Sequence, residues 1–102
     1  MAREIESRSS HCTLSQNYPN PFGRTSLGSP TTDIEFSIPE RMKVHLSVLD
    51  ALGREVKVLV DEYKDPGSHR AHFNAENLPS GLYCYRLIAD GNVLVRKMSL
   101  VR

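Results

Sequence analysis

Apolar and polar residues alternate with a period of two along most of the chain. Residues 33–39 (DIEFSIP) set Ile34, Phe36 and Ile38 against Asp33, Glu35 and Ser37. Residues 43–50 (KVHLSVLD) set Val44, Leu46 and Val48 against Lys43, His45 and Ser47. Successive side chains of a strand point to opposite faces, so this pattern predicts strands buried on one side and wetted on the other. In REVKVLVDEY (54–63), Val56, Val58 and Val60 are in phase and predict an inward set. Leu59 is out of phase, which predicts a bulge beside it. Ala71 and Phe73 form the next inward pair. In GLYCYRLIAD (81–90), Tyr83, Tyr85 and Leu87 are assigned inward, because the other phase would bury Arg86. The last run, 92–102, offers Leu94, Met98 and Leu100.

Turn chemistry separates these runs. DALGRE (50–55, with Gly53) and KDPGSH (64–69) read as tight turns, and ADGN (89–92) as a hairpin turn with an Asp-Gly centre. NLPSG (77–81) reads as a longer corner at which Gly81 supplies an unusual φ. The aromatic residues just after it place a tyrosine to tie the corner down. No helical period persists over ten residues. The expected fold class is all-β, an immunoglobulin-like antiparallel β-sandwich of about seven strands. The Cys-Trp-Cys core of antibody domains is missing, since the chain has no Trp.

Ahead of the first long strand lies NYPNPF (17–22). Pro19 and Pro21 have no N–H to donate, so this piece is excluded from a central strand and should run as a stiff crossing along an edge. Phe22 is then placed to plug one open end of the sandwich, a burial of ~2 kcal/mol.

Length and charge narrow the class further. The 102 residues make one domain. A net charge of +1 is unlike the basic stripe of a nucleic-acid binder. No apolar run approaches the ~18 residues of a membrane span. Residues 1–11 are polar, lack an apolar signal-peptide core and read as a flexible linker or cloning remnant; residues 12–102 form the domain. Cys12 and Cys84 lie far apart in sequence, and both a disulfide and two separate thiols stay open.

Catalytic chemistry is not legible. His69 and His72 are three apart on a strand, so they point to opposite faces and do not chelate one ion. DEYKD (61–65) gathers three carboxylates near a turn, without the spacing or glycine of an EF-hand. Asp33 and Glu35 share the wet face of one strand and read as a solvated edge. There is no G-x-S-x-G and no glycine-rich phosphate loop. The expectation is a non-enzymatic module without metal or cofactor. A structural or carbohydrate-binding spacer is the alternative, with Tyr18 or Tyr63 as its aromatic platform.

Taken together, LSQNYPNPF (14–22), PTTDIEFSIPE (30–40), VHLSVLDALGREVKVLVD (44–61), GSHRAHFNAENLPSGLYCYRL (67–87) and RKMSLVR (96–102) resemble the C-terminal sorting domain of type IX secretion, type A. A related immunoglobulin-like module occurs in the flagellar hook-capping protein. The resemblance implies a domain at the C-terminus of a larger secreted protein. It implies partners too: a passenger ahead of it, an outer-membrane secretion translocon, and a surface sortase-like peptidase that removes the domain as the passenger is attached. The implied location is the exterior or surface of a Gram-negative bacterium, reached through the periplasm. Carried onto this sequence, recognition falls on Lys97, Met98 and Arg102 in the last strand, with Gly81 and Tyr83 shaping the corner before it. Asn17, Tyr18, Pro19, Asn20, Pro21 and Phe22 are the motif by which the family is recognised. A sandwich of this kind would leave its last strand at an edge, open to strand addition by a receptor. The chain departs from the family at 23–29 (GRTSLGS), where members run directly into the strand. Lengthening the connection costs only about 0.8 kcal/mol of chain entropy, so a flexible insert is expected there and the fold should survive.

Overall fold

The computed structural model describes residues 11–23 and 28–102. Eight strands run in order: β1 (Thr13–Leu14), β2 (Phe22–Gly23), β3 (Thr31–Ile38), β4 (Met42–Leu49), β5 (Glu55–Lys64), β6 (Gly67–Asn74), β7 (Gly81–Ala89) and β8 (Asn92–Val101). They form two sheets, β1-β3-β6 and β2-β8-β7-β4-β5, which makes a β-sandwich. The pairing of β3 with β6 in one sheet and of β7 with both β4 and β8 in the other follows the B-E and C-F-G arrangement of an immunoglobulin-type domain. The strand count exceeds the expected seven because β1 and β2 are two-residue pieces flanking the proline motif.

Alternation places the core as the sequence predicts. Ile34, Phe36 and Ile38 face Val44, Leu46 and Val48 across the sandwich, together with Ala71, Phe73, Tyr83, Tyr85, Leu87, Met98 and Leu100, all buried. Asp90 and Gly91 both take positive φ, 50° and 82°, as the two central positions of a type I′ hairpin turn require. The corner expectation holds as well: the Tyr83 hydroxyl donates to Pro79 O at 2.7 Å. Tyr85 is fully buried, and its hydroxyl donates to Ser15 O at 2.6 Å. A buried phenol needs such an acceptor.

Two expectations are corrected. First, Val56 and Val58 are not an inward set; they are 37% and 42% exposed. β5 is an edge strand of the wider sheet, so the three-stranded sheet does not reach across to cover it. Register shifts also leave Val56 and Leu59 as extra residues opposite β4, which changes the phase at each point. The bulge at Leu59 was expected; the one at Val56 was not. Second, β8 is not a bare edge, and the sandwich is not wholly antiparallel. β2 lies outside β8 and pairs with it in parallel, Phe22 opposite Leu100 and Gly23 opposite Val101.

The segment from β1 to β2 therefore acts as a strap across the side of the sandwich. Its first half belongs to the three-stranded sheet: Leu14 pairs with Phe36, and Tyr18 exchanges two backbone hydrogen bonds with Asp33 at 2.9 and 3.0 Å. Its second half belongs to the five-stranded sheet through Phe22 and Gly23. Both proline peptide bonds, Tyr18-Pro19 and Asn20-Pro21, are cis. Of the expected insert 23–29, Gly23 is part of β2, whereas 24–27 lie outside the described residues, as do 1–10 of the expected linker.

Candidate recognition surface

β8 is held from several sides. Met98 is 1% exposed, so its side chain is core rather than surface. The Arg102 guanidinium donates through Nη1 to the carbonyls of Ala75 at 3.0 Å, Glu76 at 2.5 Å and Leu78 at 3.0 Å. Its backbone N–H donates to Ser80 Oγ at 2.9 Å. These bonds tie the chain end to the loop after β6, which leads to the Tyr83 corner. Gly81 begins β7 opposite Leu100, with φ 156°, and Gly53 turns the β4–β5 connection with φ 84°.

The strap closes much of the free edge of β8. Gln16 Nε2 donates to Lys97 O at 2.7 Å, and Ser99 N–H donates to Asn20 Oδ1 at 3.0 Å. Arg96 Nε donates to Leu14 O at 2.7 Å. Backbone groups that a receptor strand would need at this end are thus already bonded, which removes strand addition there as a mode of recognition. Within the strap, Asn17 is buried and donates through Nδ2 to Thr32 Oγ1 and Pro19 O. Thr32 Oγ1 donates to the same Pro19 carbonyl at 2.8 Å. Phe22 is 2% exposed and meets Phe73 edge-on at 6.0 Å between centroids, which makes it the plug the sequence predicts. Pro21 is exposed beside it. Tyr18 projects its ring into solvent, 81% exposed.

What remains available on β8 is its outer face. Lys97 stands there opposite Cys84 of β7, with Val93 and Val95 along the same strand. Leu82, Val93 and Val95 are each more than half exposed. A sheet face turned to water is ordinarily polar, so this apolar strip is the part of the surface that invites a partner.

The other chemistry-bearing residues serve the fold. His72 Nδ1 pairs with Asp33 at 2.8 Å and Arg70 with Glu35 at 2.7 Å on the outer face of the three-stranded sheet. His69 points the opposite way, stacked on Phe36, with Nε2 at 2.7 Å from Asp65 O. The carboxylates of 61–65 disperse to separate cations: Asp61 to Lys43 and His45, Glu62 to Lys64, and Asp65 to Arg41. Among the described residues no group of three His, Cys, Asp or Glu side chains could hold a metal ion. Cys12 and Cys84 are free thiols. Tyr18 and Tyr63 line separate pockets and do not make a joint platform.

Sequence reasoning missed Gln16, Gly23, Tyr85 as a strap anchor, and Arg96. Gly23 is the sharpest case. A Cβ at this position would sit 1.9 Å from Val101 O, so no side chain fits while β2 lies on β8. The others make contacts to backbone groups remote in sequence, and no periodicity announces such contacts.

The sequence profile of the secretion system C-terminal sorting domain family matches residues 16–101, from the strap to the end of β8. Comparison with curated proteins returned no match. The matched span covers the proline motif, both sheets and the last strand, and the family is non-catalytic. The chain belongs to the secretion system C-terminal sorting domain family, whose role is type IX secretion of a larger protein.

Proposed function

We propose that this domain delivers a passenger fused ahead of it to an outer-membrane translocon, which reads the outer face of β8 around Lys97. Transit runs through the periplasm of a Gram-negative bacterium. A surface sortase-like peptidase then separates domain from passenger ahead of the strap. Lys97 makes the contact in this reading. Met98 and Arg102 act differently from Lys97: they hold the strand in place from beneath and from its end. The observation that carries it is the contrast on one strand: every other anchor of β8 faces inward or sideways, whereas Lys97 and its valine neighbours are displayed on a fixed backbone.

The test is export of a fusion from a bacterium competent for type IX secretion, with a periplasmic signal on the passenger. Deleting 98–102 should abolish export by unseating β8. Lys97→Glu should reduce export while leaving the far-UV circular dichroism and the unfolding midpoint of the isolated chain unchanged. Full-yield export of Lys97→Glu would overturn the Lys97 contact, and full-yield export of both variants would overturn the whole reading.

A further inference from the structure

A groove of about 290 Å³ opens on the outer face of the five-stranded sheet, floored by Leu49, Ala51, Leu82, Cys84 and Val95 and flanked by Lys97. Val93, 60% exposed, extends the strip along β8. The volume falls just under the range of small-molecule pockets, which suits one large side chain rather than a whole cofactor.

Two charged groups border the groove, and they differ. Asp50 is satisfied within its own turn: its carboxylate accepts the N–H groups of Leu52 and Arg54 at 2.9 Å each and Arg54 Nε at 2.8 Å. The backbone hydrogen bond from Arg54, followed by its guanidinium, holds the Asp50 carboxyl below the usual carboxylate range. Lys97 Nζ makes no ion pair among the described residues. The groove therefore offers an apolar floor beside one unmatched positive charge. An aliphatic side chain flanked by a carboxylate complements both features.

We infer that this groove binds an acidic, aliphatic peptide segment of a protein partner, one side chain entering over Leu82 and Val95 while a neighbouring carboxylate pairs with Lys97. A fatty acid has similar chemistry, but the groove is open along one side and too small to enclose an acyl chain, and ligands of that kind are held by burying most of their surface. The inference rests on the reading that the outer face of β8 is what the secretion machinery contacts, and it names the chemistry of that contact.

The experiment is an NMR titration of the isotopically labelled full chain. The probe is a capped pentapeptide with a central leucine flanked by aspartates. Amide shifts should concentrate at 82, 84, 95 and 97. Lys97→Glu should weaken binding roughly fivefold or more, and strengthen that of a lysine-flanked counterpart. Leu82→Ser should weaken both. The inference is overturned by an absence of shifts at millimolar peptide, by an equal response of wild type to both peptides, by tighter binding of dodecanoate at the same amides, or by shifts there on raising protein concentration alone. The two readings separate cleanly. If Lys97→Glu loses peptide binding yet exports normally, the machinery contact is wrong and the groove stands. If Lys97→Glu blocks export while wild type binds no peptide, the groove is wrong and the contact stands.

Discussion

The five-stranded sheet ends in two unlike edges. On the β8 side, a strap that begins in the opposite sheet crosses over and finishes as β2, so backbone, side-chain and aromatic contacts all converge within a few residues. On the β5 side, the strand pairs with β4 alone among the described residues, carries two bulges, and keeps only Leu59 and Val60 packed partly against the core. One edge is sealed by burial and the other is held by pairing and charge. Bulges and charged side chains are themselves a way to keep an open edge from recruiting strands of other chains. The chain thus protects both edges, but it concentrates its buried contacts on the side where β8 lies.

Breaking the sealed edge should cost most. Phe22→Ala removes a buried ring from the junction of β2 with Phe73 and should destabilise by about 3–5 kcal/mol, read from urea unfolding. A loss no larger than that of Val58→Ala on the open edge would mean that the strap contributes little. Val58→Ala itself should fall within about 0.5 kcal/mol of wild type, because its side chain is largely wet already. Gly23→Ala tests the same edge without touching the core: the added methyl must push β2 away from Val101, at about 1–3 kcal/mol. Loss of protection at the amides of 99–101 in hydrogen exchange should accompany it.

Legibility followed the same division. The long strands were readable because a period of two and an Asp-Gly turn act locally, and Tyr83, Leu87 and Met98 all fell on the buried side. β5 was misread because its valine phase presumes a covering sheet, and sheet width is a global property. The proline motif announced an edge crossing and a plug, and Phe22 is that plug. It did not announce that the crossing would end in parallel pairing, which depends on where Leu100 arrives from the far end of the chain. Gly23 looked like the start of an insertion because a lone glycine carries no pattern; its need appears only when Val101 O stands against it. Of the three residues the resemblance assigns to recognition, Lys97 is exposed on the outer face of β8. Met98 is core and Arg102 binds the loop after β6, contacts that depend on the far end of the fold and that no local pattern announces.

Arg102 makes a test of middle size. Its Nη1 serves three carbonyls of the loop after β6, of which that of Ala75 belongs to a buried residue. Hydrogen bonds from a charged donor contribute more than neutral ones, but carbonyls near the surface can take water instead. Arg102→Ala should therefore cost about 1–2 kcal/mol in urea unfolding. Arg102→Lys should recover part of it, since one ammonium cannot reproduce the guanidinium geometry. If Arg102→Ala is neutral, the end of β8 is held by the strap alone and the loop contact is incidental.

The smallest effect belongs to the open edge and is set by pH. His45 of β4 faces two carboxylates of β5, with Nε2 at 2.8 Å from Glu55 and Nδ1 at 3.4 Å from Asp61, while Lys43 and Arg86 lie at 3.7 and 3.8 Å from the same carboxylates. The hydrogen bond to Glu55, ahead of that to Asp61, raises the His45 pKa; the same bond lowers that of Glu55. A raised histidine contributes fully below its ordinary value and loses its contribution as pH climbs through the raised one. A lowered carboxylate contributes above its ordinary value and loses it as pH falls through the lowered one. The clasp is therefore strongest from roughly pH 4.5 to 6.5. Wild type should exceed His45→Gln in unfolding midpoint most clearly near the middle of that window, and the gap should close in mildly alkaline buffer. Added salt should narrow it further, because all these groups are partly wet. The loosening should show as faster exchange, after correction for intrinsic rates, at the amides of 57–63 and not at those of 97–101. A gap that stays constant with pH would assign the binding of β5 to its backbone pairing alone, and the two edges would then differ in burial but not in charge.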